Sequence, residues 1–300
     1  MVGRNQDLGK RMAAIGMLAS GLLAVSKIAV GLMAGSTSVV ADGLESASDV
    51  VASGVVLLGL ILASKPADAD HPYGHGRIET LTGLGVGMIL GGAGVGICMH
   101  ALGRLGLRHT PAAYAFWPLL ASIVVKSFLS GFKFHYGRKI RSDSLVADAW
   151  NDAVDILSGS TAVAALGLTL YDPSRFLAAD HYGGFAIGLI VIFLGIRVVY
   201  QTALHLMDTM PDPETMRLIR EAAARVPGAL GIEKCYARKT GLQYHVDLHL
   251  EVDPGMTVRD SHRIASRVRD EIKAKLDWVA DVLVHVEPHG ELAPPEVPAE

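Results

Sequence analysis

Six long apolar stretches, separated by short polar connections, fill the first two thirds of the chain. They run roughly over Met12–Met33, Ser38–Leu62, Ile78–Leu102, Ala112–Tyr136, Ser144–Leu170 and Tyr182–Leu206. A membrane-spanning helix needs about 20 apolar residues, so the pattern predicts an all-α six-helix membrane bundle over residues 1–208. Beyond Asp208 the period changes. MPDPETMRLIREAAARVPGA reads as an amphipathic helix opened by proline. GIEKCYARKT and LQYHVDLHLEVD alternate as strands, TVRDSHRIASRVRDEIKAKL has helical period, and DWVADVLVHVEPH is a further strand. That order predicts a small α+β domain over 209–290 with its helices on one face of a sheet, and a disordered tail over 291–300.

Composition agrees: half the residues are hydrophobic and 19% are charged, too apolar for most soluble proteins of this length. No cleavable signal peptide is expected, because the first apolar stretch is too long and lacks a small-residue cleavage pattern. The N-terminus and the loops after the second and fourth stretches carry Arg4, Lys10, Arg11, Lys65, Arg77, Arg138, Lys139 and Arg141, against Arg104, Arg108 and Arg175 opposite. Eight against three predicts both termini in the cytoplasm, with the inner or plasma membrane as the expected location. Cys98 and Cys235 form no CxxC pair and predict no disulfide. Cys235 is open to metal ligation or plain packing. Gly83, Gly87 and Gly91 recur every four residues, as do Gly92 and Gly96. Such spacing allows close helix approach, within one bundle or between subunits.

Acidic residues inside the apolar stretches carry the functional signal. Asp42, Glu45 and Asp49 share a face of the second stretch; Asp148, Asn151, Asp152 and Asp155 lie along the fifth. A carboxylate in hydrocarbon is costly, so it faces a bundle interior or water path. Two helices bearing oxygen ligands would form a cation site within the membrane, which points to a transporter. Lys27, Lys126 and Arg197 also lie within spans, and pairing with these acids or snorkelling to the interface is expected of them.

Two further groups of ligand-type side chains lie outside the spans. KPADADHPYGHGRIET crowds Asp68, Asp70, His71 and His75 between prolines and glycines, a density suited to Zn²⁺ or another borderline ion, with a solvated polar loop as the competing reading. His245, His249, His262, His285, Glu233 and Glu287 populate the C-terminal domain. No nucleophile–base arrangement or metalloprotease motif points to an enzyme, and no nucleic-acid partner is expected.

SVVADGLESASDV, HPYGHGRIE, LVADAWNDAVD and VHVEP together resemble the cation diffusion facilitator family, over nearly all of Met12 to His289. The resemblance implies a homodimer in the lipid bilayer. Each subunit would have six spans and a cytoplasmic metallochaperone-like domain, and would export divalent metal in exchange for protons. It implies a transport site of Glu45, Asp49, Asn151 and Asp155 and a loop site of Asp68, His71 and His75. It also implies a cytoplasmic site drawn from Glu233, His249, His262, His285 and Glu287, and a charge pair of Arg77 with Asp208. The divalent ion would be substrate in the first and regulator in the others.

Zinc members commonly place histidine where this chain has Asn151, so all four implied transport ligands are oxygens. Oxygen donors suit Mn²⁺ and leave Fe²⁺ intermediate, whereas Zn²⁺ prefers nitrogen and sulfur. Mn²⁺ or Fe²⁺ is therefore the expected substrate, with efflux of Zn²⁺, Co²⁺ or Cd²⁺ and a non-transporting metal-sensing dimer as alternatives.

Overall fold

A computed structural model describes residues 2–106, 109–140, 143–241 and 243–290. It contains six long apolar helices: α1 (Val2–Ala34), α2 (Thr37–Ala63), α3 (Arg77–Gly103), α4 (Phe116–Ile140), α5 (Asp143–Tyr171) and α7 (Ala179–Leu206). A 27-residue helix such as α2 or α3 is about 40 Å long at 1.5 Å per residue, enough for a hydrocarbon core of about 30 Å. One short helix was not predicted: α6 (Pro173–Phe176), started by Pro173 and capped by Asp172, whose side chain accepts from Ser174 and Arg175 N–H. Residues 291–300, expected to be disordered, lie outside the described residues.

By internal contacts the chain forms two compact units, one running to Leu58 and including Thr82–Tyr200, the other comprising Gly59–Leu81 and the residues from Gln201 onward. The histidine loop and the adjoining ends of α2, α3 and α7 thus belong with the C-terminal unit.

In the first unit, Ala34, Val39, Ile97, Leu119, Ala162, Leu166, Ile187 and Val191 form a buried core drawn from α1 to α5 and α7. Lipid removes the hydrophobic drive between helices, so close backbone approach has to hold them together. Between α3 and α7 it does. A Cβ on Gly94 would lie 2.7 Å from the Ile192 amide nitrogen, and one on Gly195 2.5 Å from that of Gly91. Gly87 and Gly91 of the α3 pattern, with Gly94, thus pack inside the bundle against α7, while Gly92 and Gly96 face open space.

The second unit contains α8 (Pro213–Ala224), β1 (Gly231–Thr240), β2 (Gln243–Val252), α9 (Val258–Lys275) and β3 (Val279–Pro288). The sheet order is β1-β2-β3; β1 and β2 are antiparallel, and β2 and β3 are parallel across α9. Along β2, Val246, Leu248, Leu250 and Val252 are buried, alternating with partly exposed Asp247, His249 and Glu251. The apolar face packs on Met216, Ile219 and Ala223 of α8 and on Ile264, Val268 and Ile272 of α9. Cys235 belongs to this core, which gives it a packing role. The opposite face, with its alternate polar side chains, is left uncovered by helices among the described residues of this unit.

Candidate metal sites

Asp42 and Glu45 of α2 and Asp152 and Asp155 of α5 are buried, Asp49 is half-buried, and the group is electrostatically coupled. Asp42 is 1% and Glu45 3% exposed. Glu45 accepts from Ser158 Oγ at 2.7 Å and lies within electrostatic range of Asp42, Asp49 and Asp155. The Asp49 and Asp155 carboxyls are within hydrogen-bonding reach of each other. Three lysines enter the cluster. Lys27 pairs with Asp42 at 2.8 Å and donates to Ser46 at 2.7 Å. Lys126 pairs with Asp152 at 3.0 Å, contacts Asp155 and donates to Ser20 Oγ at 2.7 Å. Lys133 pairs with Asp152 at 2.5 Å.

These contacts sort the acidic residues. Asp42 is held by Lys27 and Asp152 by Lys126 and Lys133, while Asp155 shares Lys126 with Asp152, and Glu45 and Asp49 form no lysine pair among the described contacts. The second Glu45 oxygen, Oε2, is buried without a hydrogen-bond partner, a costly state for a carboxylate unless a cation or proton meets it. Among the described residues the cluster sets five carboxylates (Asp42, Glu45, Asp49, Asp152, Asp155) against three ammonium groups, a formal charge of two minus. One divalent cation would balance it. Asn151 lies one turn before Asp155 and is exposed. The Asp148 side chain lies outside the described residues. Sequence reading missed Lys133, although its spacing of seven from Lys126 already placed both on one face of α4.

The histidine loop closes on itself. Asp68 accepts from the His71 amide at 2.7 Å and lies 3.1 Å from His71 Nδ1 and 3.5 Å from His75 Nε2. His75 Nδ1 lies 3.2 Å from the Pro66 carbonyl. That bond directs Nε2 toward the cluster, the usual way a second partner orients an imidazole ligand. One ligand atom each from Asp68, His71 and His75 lies within 4.8 Å of the others. The backbone hydrogen bond from His71, and then its side chain, hold the Asp68 carboxyl below the ordinary aspartate range. The loop rests on the β1–β2 turn: a Cβ at Gly76 would lie 2.6 Å from the Thr240 carbonyl oxygen, and Gly241 turns there with φ +66°. Tyr73 meets the His245 ring edge-on at 5.9 Å.

Arg77, at the start of α3, pairs with Asp208 at 3.1 Å. Asp208 is the non-glycine residue with positive φ (55°) among those described. The bonds from Thr209 N to Leu204 O and from Asp208 N to His205 O give the reason: Asp208 is the left-handed cap that ends α7.

On the open face of the sheet, His249 of β2 pairs in register with His285 of β3, with rings 5.1 Å apart. His249 Nδ1 lies 2.5 Å from Glu287 Oε1, and His285 Nε2 lies 3.7 Å from the same oxygen. Ligand atoms of these three also lie within 4.8 Å of one another. Glu233 stands beside them, 3.9 Å from His249. A hydrogen bond to Glu287 pushes the Glu233 carboxyl above its ordinary range, and the same bond, with one from His249, holds Glu287 below its own. The two carboxyls are thus coupled, with Glu233 the one that protonates first as pH falls. His262 does not join them. It is exposed on α9, and α9 packs on the opposite, apolar face.

The chain matches the cation efflux transmembrane domain family over residues 13–207 and the cytoplasmic domain of cation efflux proteins over residues 211–289. It is 30% identical over 297 residues to Metal tolerance protein C1 of Arabidopsis thaliana, a match spanning 93% of this chain and 62% of that protein, less than two thirds of its length. It is 30% identical over 296 residues to Manganese efflux system protein MneP of Bacillus subtilis, spanning 97% of this chain and all of that protein. A solved structure, MamM-CTD 215-293, is 32% identical, covers 26% of this chain and 99% of its own, and gives a TM-score of 0.25.

Proposed function

The chain belongs to the cation efflux family, integral membrane transporters of divalent metal and not enzymes. On that premise we propose that it is a homodimer that exports Mn²⁺ or Fe²⁺ from the cytoplasm in exchange for protons. The observation that carries this reading is the buried acidic cluster of α2 and α5, with its formal charge of two minus and oxygen-only donors. Glu45, Asp49 and Asp155 bind the ion. Asn151 shares the helix face of Asp155 and supplies a neutral fourth donor at the exposed end of the cluster.

Oxygen donors favour Mn²⁺ and tolerate Fe²⁺, while Zn²⁺ gains most from nitrogen. The name of the Bacillus subtilis relative, a manganese efflux system protein, is in line with that preference. Buried neighbouring carboxylates repel one another when ionised, so the metal-free site takes up protons. Metal arrival expels them, and metal release on the far side lets them return. Both termini face the cytoplasm in this reading, as the excess of Lys and Arg on that side suggests. The loop and sheet clusters, which contain imidazole, bind metal in a regulatory role.

The test is metal uptake by the purified protein in liposomes, with an internal pH dye, against Mn²⁺, Fe²⁺, Zn²⁺, Co²⁺ and Cd²⁺. Mn²⁺ or Fe²⁺ should move fastest, with opposite proton flow. Asp49→Ala and Asp155→Ala should each abolish uptake while the protein still elutes as a folded dimer. Near wild-type uptake by either variant would rule out this transport site.

A further inference from the structure

Lys126 sits where a metal-free transport site would need a cation. It is 3% exposed, in the middle of α4. Its ammonium donates to Asp152 Oδ1 at 3.0 Å and to Ser20 Oγ at 2.7 Å, and it forms an ion pair with Asp155 Oδ2 that does not meet hydrogen-bond geometry. Asp152 and Asp155 are three apart on α5 and so lie on one face, one turn from each other. A single ammonium therefore bridges them without a change of rotamer. The other Asp152 oxygen is already held by Lys133 at 2.5 Å, so Asp152 sits between two lysines. Asp155 has no such second lysine among the described contacts.

We propose that Lys126 is a tethered counter-cation: it occupies Asp155 when the transport site is empty and withdraws onto Asp152 and Ser20 when a divalent ion takes Asp155. This rests on the reading of Glu45, Asp49 and Asp155 as metal ligands. The physical consequence is a built-in competitor. An incoming monovalent cation gains no charge by displacing an ammonium of equal charge, whereas a divalent ion does. The tether thus selects for charge, and it lowers affinity enough for the ion to leave again. Two acceptors remain for Lys126 after displacement, so withdrawal orphans one donor at most. Lys126 acts through Asp155 and is a positioning residue, not a ligand.

The test is calorimetric titration of the full-length protein in detergent with Mn²⁺ alone. The transport-site component is the heat that Asp49→Ala abolishes. If Asp49→Ala abolishes none, the site reading itself fails, a result distinct from failure of the tether. Given that component, Lys126→Gln should tighten its Kd by about 10-fold, or about 1.4 kcal/mol. Lys126→Arg, which keeps the charge, should stay close to wild type. Asp152→Asn removes the parking place and should weaken Kd by about 10-fold, and adding Lys126→Gln to it should restore tight binding. A strut with a purely structural role would weaken binding in both single variants. An unchanged or weaker Kd in folded Lys126→Gln overturns the proposal. Should Lys126→Gln alone not yield folded protein, the Lys126→Gln/Asp152→Asn double variant decides: a Kd tighter than that of Asp152→Asn supports the tether, and an equal or weaker one overturns it.

Discussion

Metal should raise the melting temperature of the C-terminal unit, and His249→Ala should remove most of that rise. The unit has its own apolar core, so a fragment over residues 209–290 can be tested alone, with Zn²⁺ as a strongly bound probe. At a free ion concentration of about 100 times Kd, binding to the folded state alone adds about 2.7 kcal/mol. For a domain of about 80 residues each kcal/mol shifts Tm by about 4–8 °C, giving a rise of roughly 10–20 °C. His249 touches both other members of the cluster, bonding Glu287 at 2.5 Å and facing His285 at 5.1 Å. Its loss leaves two ligands. If Kd rises roughly 100-fold, the same ion concentration adds only about 0.4 kcal/mol, or about 2–3 °C. His262→Ala should keep the full rise, because its imidazole lies on α9 across the sheet. Protons compete for imidazole nitrogen and for the Glu233–Glu287 pair, so the rise should shrink from pH 7.5 to pH 5.5. Differential scanning fluorimetry with and without chelator measures all of this. A wild-type fragment with no metal-dependent rise, or a His249→Ala fragment that keeps it, would refute the site.

Asn151→His adds an imidazole at the exposed end of the transport cluster. It should raise the ratio of Zn²⁺ to Mn²⁺ uptake by about 10-fold, about 1.4 kcal/mol of differential binding; an unchanged ratio in competitive proteoliposome uptake would remove Asn151 from the ligand set. Gly94→Leu should lower the Tm of the detergent-solubilised protein, because overpacking costs about 1–3 kcal/mol or more where backbone lies this close. Gly92→Leu, which meets nothing within 4 Å, should be tolerated. Asp212→Ala removes the cap of α8, whose carboxylate accepts from Thr215 Oγ1, Thr215 N–H and Glu214 N–H. Those bonds, the Thr215 hydroxyl first, hold the Asp212 carboxyl below its ordinary range. Its contribution is therefore complete above the ordinary aspartate value of about 3.9 and fades as pH falls through the lower folded value. The Tm gap between wild type and Asp212→Ala should be full at pH 7 and vanish in strong acid; a gap that persists there would refute the cap.

The spans were legible because hydrocarbon demands long, nearly charge-free helices, and the apolar runs of this chain meet that demand openly. The strands of the C-terminal domain were legible for a similar reason: Val246, Leu248, Leu250 and Val252 alternate as a one-faced sheet requires. The histidine loop was legible because its ligands lie within eight residues and fold back on Asp68 locally. What periodicity cannot carry is which face meets which. The acidic stripes of α2 and α5 could be read as buried, but only the crossing of four helices decided that Lys27 takes Asp42 and that Lys126 and Lys133 divide Asp152 and Asp155. Strand register placed His249 beside His285, and the side of the sheet covered by α9 kept His262 away. Gly87 and Gly91 of the four-residue repeat, together with Gly94, meet α7, whereas Gly92 and Gly96 do not. Sequence encodes the local period and the chemistry on each face; partners distant along the chain are chosen by packing angles and register, which arise only when all the faces are buried together.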